Sequence, residues 1–377
     1  MNYSKEPAFI NRTSEMKFLR DWIGERPENL LFIYGPKSSG KTTLLYRFVN
    51  QYLSSGNYEI KHFNLRKILI AHYQDFIRSF FAIDRSKEKT DVKEKREYDL
   101  KVFKLSVETL KGLDSKEFDP FVIMETELKK LNDRGLRPVI IIDELQALEG
   151  IYMGEQRELL KELFNFFVAM TKESHLCHVI IASSDGYFIE RIYNDSKLKK
   201  TSKFFEVGYL SRDDVYFWLN NLEKESAIKL FTLTPEQMDR MWETFGGSCW
   251  EISRFLGDVM MRAQEGKVPG EAFEEEITKV CIQMRSMYVN YAGLYKGKRA
   301  LLKIINAVVR AQGRFREEDM ASLVDNNVFE VKDLRDELGI LVGQNFISYN
   351  PVTAEYAVQG RSMEIGLAMY ADMIAGA

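Results

Sequence analysis

Cysteine is scarce in this chain of 377 residues, and Cys177, Cys249 and Cys281 form an odd, widely spaced set. Such a set excludes a disulfide framework and suits reduced thiols. His175, Cys177 and His178 stand close together, but no second cluster of ligating side chains answers them, so a metal site of that kind is not expected. No apolar run approaches the roughly 20 residues of a membrane span. Residues 1–7 carry no apolar signal region. There is no internal repeat and no low-complexity segment. The net charge is only −3, so no bulk attraction to nucleic acid or to a membrane surface is expected, and any such claim rests on local charge. These absences point to a cytoplasmic protein with no membrane partner.

What is present is ordinary in bulk, with 45% hydrophobic and 29% charged residues, enough for a sizeable core and two or three domains. One stretch stands out. Gly35-Pro36-Lys37-Ser38-Ser39-Gly40-Lys41-Thr42, followed by Thr43, fits the phosphate-binding P-loop pattern. Before it, Leu30 to Tyr34 is a short apolar run that reads as a buried strand. After it, Leu44, Leu45, Phe48, Val49 and Tyr52 fall at helical spacing, and the helix fades near Gly56. Strand, glycine loop and helix are what phosphate binding needs. Gly35 and Gly40 let backbone N–H groups close around phosphates, and the helix N-terminus adds its positive dipole end. Lys41 brings charge to the β and γ phosphates, and Thr42 is a ligand for Mg²⁺.

The second strong signal lies about a hundred residues on. Pro138 to Ile142 reads as a central strand that delivers Asp143 and Glu144 at its carboxyl end, the Walker B pattern. Asp143 is expected to hold Mg²⁺ and Glu144 to polarise the attacking water; two solvated carboxylates starting a helix are the alternative. His178 to Ser184 reads as the next strand and ends in two hydroxyls, of which Ser184 is favoured over Ser183 to face the γ-phosphate or the lytic water. Tyr58 to Phe63 reads as a strand leading to Arg66, which either points toward the phosphates or is a solvated surface arginine. Lys203 to Val207 closes the core. Helical patterns run over Lys67 to Phe81 and Phe121 to Leu131. Arg85 to Lys104 is dense in both charge signs and reads as an exposed helix or insertion. Phe9-Ile10-Asn11-Arg12 precedes a helix carrying Met16, Leu19 and Ile23 on one face. A loop of this kind lies over the nucleotide base in many ATPases, so Phe9 and Arg12 are candidate nucleotide contacts; a surface turn is the alternative.

Beyond Leu210 the strands stop. Ser211 and Thr234 are helix N-caps, Gly246-Gly247 breaks a helix, and further helices start at Trp250 and after Pro269-Gly270. From Leu301 onward three helical segments lead to a hairpin over Phe346 to Val358, the order of a winged helix. The predicted organisation is a core over 1–209, a helical lid over 210–292 and a winged-helix domain over 293–377.

These motifs resemble the archaeal ATPase family, a branch of the P-loop ATPases close to the AAA+ and STAND groups. The resemblance rests on Phe9 to Arg12, on Leu31 to Thr43, and on Ile142-Asp143-Glu144-Leu145-Gln146. It implies an α/β fold of the ASCE, AAA+-like type: a parallel-sheet core that binds ATP, an all-helical lid and a winged-helix tail. Two departures stand out. Lys199-Lys200 occupy the place near Leu198 where Gly-Arg is common in the family, so an arginine finger at that place does not follow from the resemblance. Cys249 stands where STAND-like lids carry a proline near the base.

The function expected from these residues is Mg²⁺-dependent hydrolysis of ATP to ADP and phosphate, coupled to a switch. Lys41 stabilises phosphate charge, Thr42 and Asp143 hold the metal, and Glu144 and Ser184 serve the chemistry. Two alternatives stay open. The first is a DNA-binding ATPase, because Lys296, Lys298, Arg299, Lys303, Arg310, Arg314 and Arg316 form a run without an acid among them. Against it, the third tail helix carries Glu330, Asp333, Asp336 and Glu337, unsuited to a groove lined with phosphates. The second is a nucleotide-gated scaffold with negligible turnover, acting through a protein partner or a homo-oligomer.

Overall fold

The computed structural model describes residues 8–54, 56–67, 69–83, 102–115, 118–153, 157–195 and 200–376. Most of the doubly charged stretch, and Lys197, Leu198 and Lys199, lie outside the described residues.

Five parallel strands form the core: β1 (Leu30–Tyr34), β2 (Tyr58–Asn64), β3 (Arg137–Asp143), β4 (His178–Ala182) and β5 (Ser202–Glu206). Their order is β2-β3-β4-β1-β5. The strand that ends in Asp143 is interior, and β4 is the middle one. The apolar runs of β1, β3 and β4 are continuous because helices cover both faces. Their side chains still alternate. Phe32, Ile140, Ile142 and Ile181 pack into a cluster with Phe76, Leu128, Phe164 and Phe167. Leu31, Ile33, Ile141 and Ile180 face the other way, toward Leu19, Leu44 and Phe48. These last belong to α1 (Thr13–Gly24) and α2 (Lys41–Phe48).

The expected helix after β2 is shorter than its pattern. It spans Tyr73–Phe80 and gives way to a small strand, Phe81–Ile83, paired in parallel with Phe103–Leu105. Phe81 and Phe103 are buried in the core cluster, so apolar demand turns the chain extended there.

The lid is helical. Its helices Arg212–Asn220 and Pro235–Phe245 begin with the capping boxes of Ser211 with Asp214 and Thr234 with Gln237. They surround Trp218, Met241, Phe255 and Phe273, and Ile10 of the N-terminal loop joins this cluster. A 23-residue helix, Gly270–Ala292, starts in the lid core with Phe273 and Ile277 and ends in the tail core with Tyr288 and Ala292. Lid and tail are thus tied by one continuous helix.

The tail is a winged helix. Helices Lys296–Gln312, Ala321–Asp325 and Val331–Gly343 precede an antiparallel hairpin, Ile347–Asn350 with Glu355–Val358. Phe315 adds a bridge to Tyr356. A final helix, Arg361–Ala375, was not expected from the sequence. It lies against the 23-residue helix so closely that a Cβ on Gly366 would come 2.6 Å from Met284 Cβ. Its Ile365 and Met369 reach the lid cluster, while Leu367 and Tyr370 enter the tail cluster.

The hairpin is docked on the core. Tyr187 stacks on Tyr349 with ring centroids 4.6 Å apart, and the Tyr349 hydroxyl donates to Glu190 at 2.8 Å. Asn350 donates to Glu206 at 3.2 Å and accepts from the Tyr34 hydroxyl at 3.4 Å. The expectation of an acid-free basic run changes here. Arg314 and Arg316 both pair with Glu355 of the hairpin, Lys298 with Glu337, and Arg310 with Asp372. The acids come from elsewhere in the chain, which a linear reading does not bring together.

Candidate functional site

The loop after β1 closes where its glycines allow it. Gly35 has φ +142°, and a Cβ there would meet the Val207 carbonyl oxygen at 2.3 Å. Gly40 has φ +95° and opens α2. These are the places where a side chain would be excluded or strained. Lys41 is only 7% exposed and donates to the Gly35 and Pro36 carbonyls, each at 2.9 Å. Burial pushes its ammonium down to about 8, against the pull of Glu144 and Asp143. A buried cation hydrogen-bonded to loop carbonyls gains strongly from an arriving phosphate.

β3 places its two carboxylates where the strand register requires. Asp143 lies level with Asn64 on β2 and Ala182 on β4. It is 2% exposed and accepts a hydrogen bond from the Thr42 hydroxyl at 2.8 Å. Burial pushes its carboxyl up, and the Thr42 bond works the other way. Glu144 is 8% exposed and adopts the left-handed region at φ 63°. That costs a non-glycine residue about 1 kcal/mol or more. The turn re-aims the side chain away from the strand direction. These carboxylates are therefore not a solvated helix start.

Glu144 is held from two sides. Arg66 ion-pairs with its Oε1, and the Gln146 amide donates to its Oε2. Ser183 donates to the Gln146 side-chain Oε1 at 3.1 Å and accepts from the Asp185 backbone N–H at 3.0 Å. Ser183 is thus fully buried and committed to this chain of bonds, whereas Ser184 lines the cavity beside Glu144. Arg66 points at a carboxylate, neither free in solvent nor placed for phosphates alone.

The N-terminal loop has two roles. Arg12 is buried and donates to the Ser39 carbonyl at 2.7 Å and the Gly208 carbonyl at 2.9 Å, so it clasps the loop backbone. Phe9 lines the cavity, with the Arg47 guanidinium 5.6 Å from its ring centroid. From the lid, Cys249 and Trp250 reach the same space. Gly247 permits this by letting its backbone approach Leu210, where a Cβ would stand 2.0 Å from the carbonyl oxygen. His175 and His178 are occupied elsewhere, bonded to the Pro27 and Glu25 carbonyls.

One cavity of about 740 Å³ joins these groups, a size typical of small-molecule sites. Pro36 and Gly35 lie behind it; Lys37 to Thr43 form its floor. Residues the sequence reading did not single out also form its walls: Tyr209, which donates to the Lys37 carbonyl at 3.1 Å, Met284 of the long helix, and Asn345, Gln359 and Met363 of the tail. Gln146 was readable only as part of a motif. The tail residues gave no local signal, because the phosphate loop and Glu144 that they meet lie far from them in sequence.

Comparison with known proteins agrees with this architecture. Two ATP-binding proteins of Methanocaldococcus jannaschii are 36% identical over 334 residues, covering 86% of both chains, and 30% identical over 368 residues, covering 91% of this chain and 97% of the relative. A third from the same organism is 38% identical over 211 residues, which is 55% of this chain and 60% of the relative. A Walker-type ATPase of Pyrococcus abyssi shares the fold with a TM-score of 0.66 at 14% identity, covering 97% of this chain and 99% of that one. The ORC2 protein of Aeropyrum pernix, solved in ADPNP–ADP complexes, has a TM-score of 0.55 at 12% identity, covering 99% and 97%. Among the described residues no helix is long and apolar enough to cross a membrane. The family described as an ATPase domain predominantly from Archaea matches residues 9–255, and with these relatives this nucleotide-binding chain belongs to that archaeal ATPase family.

Proposed function

We propose that this protein hydrolyses ATP to ADP and phosphate and works as a nucleotide-gated switch in the cytoplasm. The observation that carries the reading is the shared cavity: phosphate loop, Glu144, lid and tail all wall one space. A ligand filling it touches every part at once, so the bound state biases how the parts sit. The division into core (1–209), lid (210–292) and tail (293–377) belongs to this proposal, with the 23-residue helix as the coupling rod.

The loop amides and Lys41 bind the phosphates, and Phe9 walls the nucleoside side. The Thr42 hydroxyl and Asp143 carboxylate form an oxygen pair that fits a hard divalent cation. Mg²⁺ held there would offset charge on the β and γ phosphates. Glu144 accepts a proton from the attacking water as its oxygen bonds to the γ-phosphorus. The bond from that phosphorus to the β–γ bridging oxygen breaks, and ADP leaves. Ser184 bonds the γ-phosphate or the water. The switch acts on a protein partner or on a second copy of the chain.

DNA binding through the tail is the weaker reading, since four of its seven cations pair with acids of the same chain. Glu144→Gln tests the main one. It should bind ATP with Mg²⁺ as the unaltered protein does and turn it over about 10²–10⁴-fold more slowly. Equal turnover would remove Glu144 from the chemistry. An unaltered protein that binds ATP without turnover would leave a nucleotide-gated scaffold.

A further inference from the structure

We propose that Gln359, supplied by the tail, orients the attacking water, so that hydrolysis requires the tail to be docked. The inference rests on the hydrolysis reading above and deepens it.

Gln359 follows the second hairpin strand and precedes the last helix, far from the phosphate loop in sequence. Its side chain lines the nucleotide cavity and is only 9% exposed. Its Oε1 is buried with no hydrogen-bond partner. Its backbone N–H is spent on the Phe346 carbonyl, which fixes the residue on the tail. A buried amide oxygen left unpaired costs roughly 1–3 kcal/mol, and such atoms call for a missing partner. Met363 and Met284 line the cavity with it, and none of the donor side chains that also line it, Gln283, Asn345 and Arg254 among them, bonds that oxygen. The missing donor therefore comes from what enters the cavity.

The surroundings locate that partner. Next in sequence, Gly360 packs over Tyr209, whose hydroxyl lies 3.3 Å from where a Cβ on Gly360 would be. The same hydroxyl bonds the Lys37 carbonyl in the middle of the phosphate loop. On the other flank the hairpin is anchored at Gly186 and Tyr187, two and three residues after Ser184. Gln359 thus shares one cavity with Lys37 to Thr43, Glu144 and Ser184. Phosphate oxygens at neutral pH are acceptors only. An amide oxygen facing them needs an O–H, and the water attacking the γ-phosphorus has two. One proton passes to Glu144 as the new P–O bond forms. The other O–H donates to Gln359 Oε1 throughout, and no bond to Gln359 forms or breaks.

The test uses the full chain and Gln359→Met, of similar length with no amide. ATP affinity is measured by calorimetry, kcat and KM by phosphate release, and Tm without nucleotide. The expected result is a kcat lower by about tenfold or more, since misplacing a reacting group by about 1 Å costs up to 10²-fold. KM and affinity should stay within about threefold, and Tm should be equal or higher, because an unpaired buried acceptor has gone. Gln359→Leu should behave the same way and serves if the first variant folds poorly. Unchanged kcat in either variant overturns the proposal. So does a drop in Tm with kcat intact, which marks a structural amide. Glu144→Gln run in parallel separates the two ideas: if it is slow while Gln359→Met is not, only the role of Gln359 fails. If neither differs from an active unaltered protein, both residues leave the chemistry, and if the unaltered protein itself shows no turnover, the hydrolysis reading falls.

Discussion

Arg66 holds Glu144 by an ion pair across the mouth of the cavity, from a short turn that follows β2. The arginine is half exposed and the glutamate nearly buried, so the pair can open toward solvent without disturbing the core. Paired in this way, the Oε1 lone pairs are directed at the guanidinium and are less available to a water proton. Arg66→Ala should therefore raise single-turnover hydrolysis, up to about fivefold, because an ion pair with a half-exposed partner is worth about 0–1 kcal/mol and about 1.4 kcal/mol is tenfold. ATP affinity should change little. A fall in both would make Arg66 a phosphate ligand instead.

Removing the loop cation should be severe. Lys41 is buried beside two carboxylates and donates to two loop carbonyls. Lys41→Ala should lose calorimetrically detectable ATP binding, and affinity equal to that of the unaltered protein would defeat the phosphate-loop assignment. Asp143→Asn keeps an acceptor for the Thr42 hydroxyl but removes the charge. Nucleotide should still bind it in chelator, while the gain on adding Mg²⁺ disappears.

The docking of tail on core hinges on a missing side chain. A Cβ at Gly186 would stand 1.9 Å from the Tyr349 carbonyl oxygen. Gly186→Ala should push the hairpin off its seat, at about 1–3 kcal/mol for an overpacked contact. Limited proteolysis should then cut near the hairpin sooner, and hydrolysis should fall together with docking. Proteolysis and turnover unchanged from the parent protein would show that the tail sits elsewhere in solution.

Arg314 and Arg316 share one carboxylate, Glu355, and all three lie at the surface side of the hairpin. Replacing both arginines with Ala should lower Tm by only a little, since exposed pairs contribute about 0–1 kcal/mol. Duplex DNA should bind neither protein appreciably at physiological salt. Binding that weakens with salt by a log–log slope of about −0.9 per phosphate, and that flattens in the double variant, would bring the DNA reading to the front.

His178 gives the fold an acid-sensitive element. Burial pushes its imidazole down to about 4, while its Nε2–H is bonded to the Glu25 carbonyl. The folded protein keeps the ring neutral, and the unfolded chain takes a proton below about 6.5. The stabilisation is full above that value and is lost as pH falls toward 4, by on the order of 3 kcal/mol. Urea unfolding at pH 7.5 and 4.5 should show a smaller drop for His178→Gln than for the parent. Equal drops would place the acid sensitivity in other groups.

Much of the core was legible because its signals are local. A phosphate loop needs glycines and a lysine at fixed offsets, and a buried parallel strand needs an unbroken apolar run, so Gly35 to Thr42 and Val139 to Glu144 declare themselves. Helix caps at Ser211 and Thr234 are equally local, since the capping side chain bonds an N–H only three residues on. The final helix was missed: Gly366 sits in its interior, where glycine weakens a helical pattern, and only contact with Met284 explains it.

By itself the sequence determined the kind of ligand and the kind of sheet. Both follow from residue types at short spacing, which any fold built on them must honour. Tertiary structure alone decided what surrounds that site. Whether Arg66 meets phosphate or Glu144, whether Ser183 or Ser184 faces the cavity, whether four of the seven cations face solvent or pair with Glu355, Glu337 and Asp372, and whether Gln359 lines the cavity all depend on pairs of residues distant in the chain. Such pairings arise from how buried surfaces fit together, and no periodicity along a strand or helix encodes them.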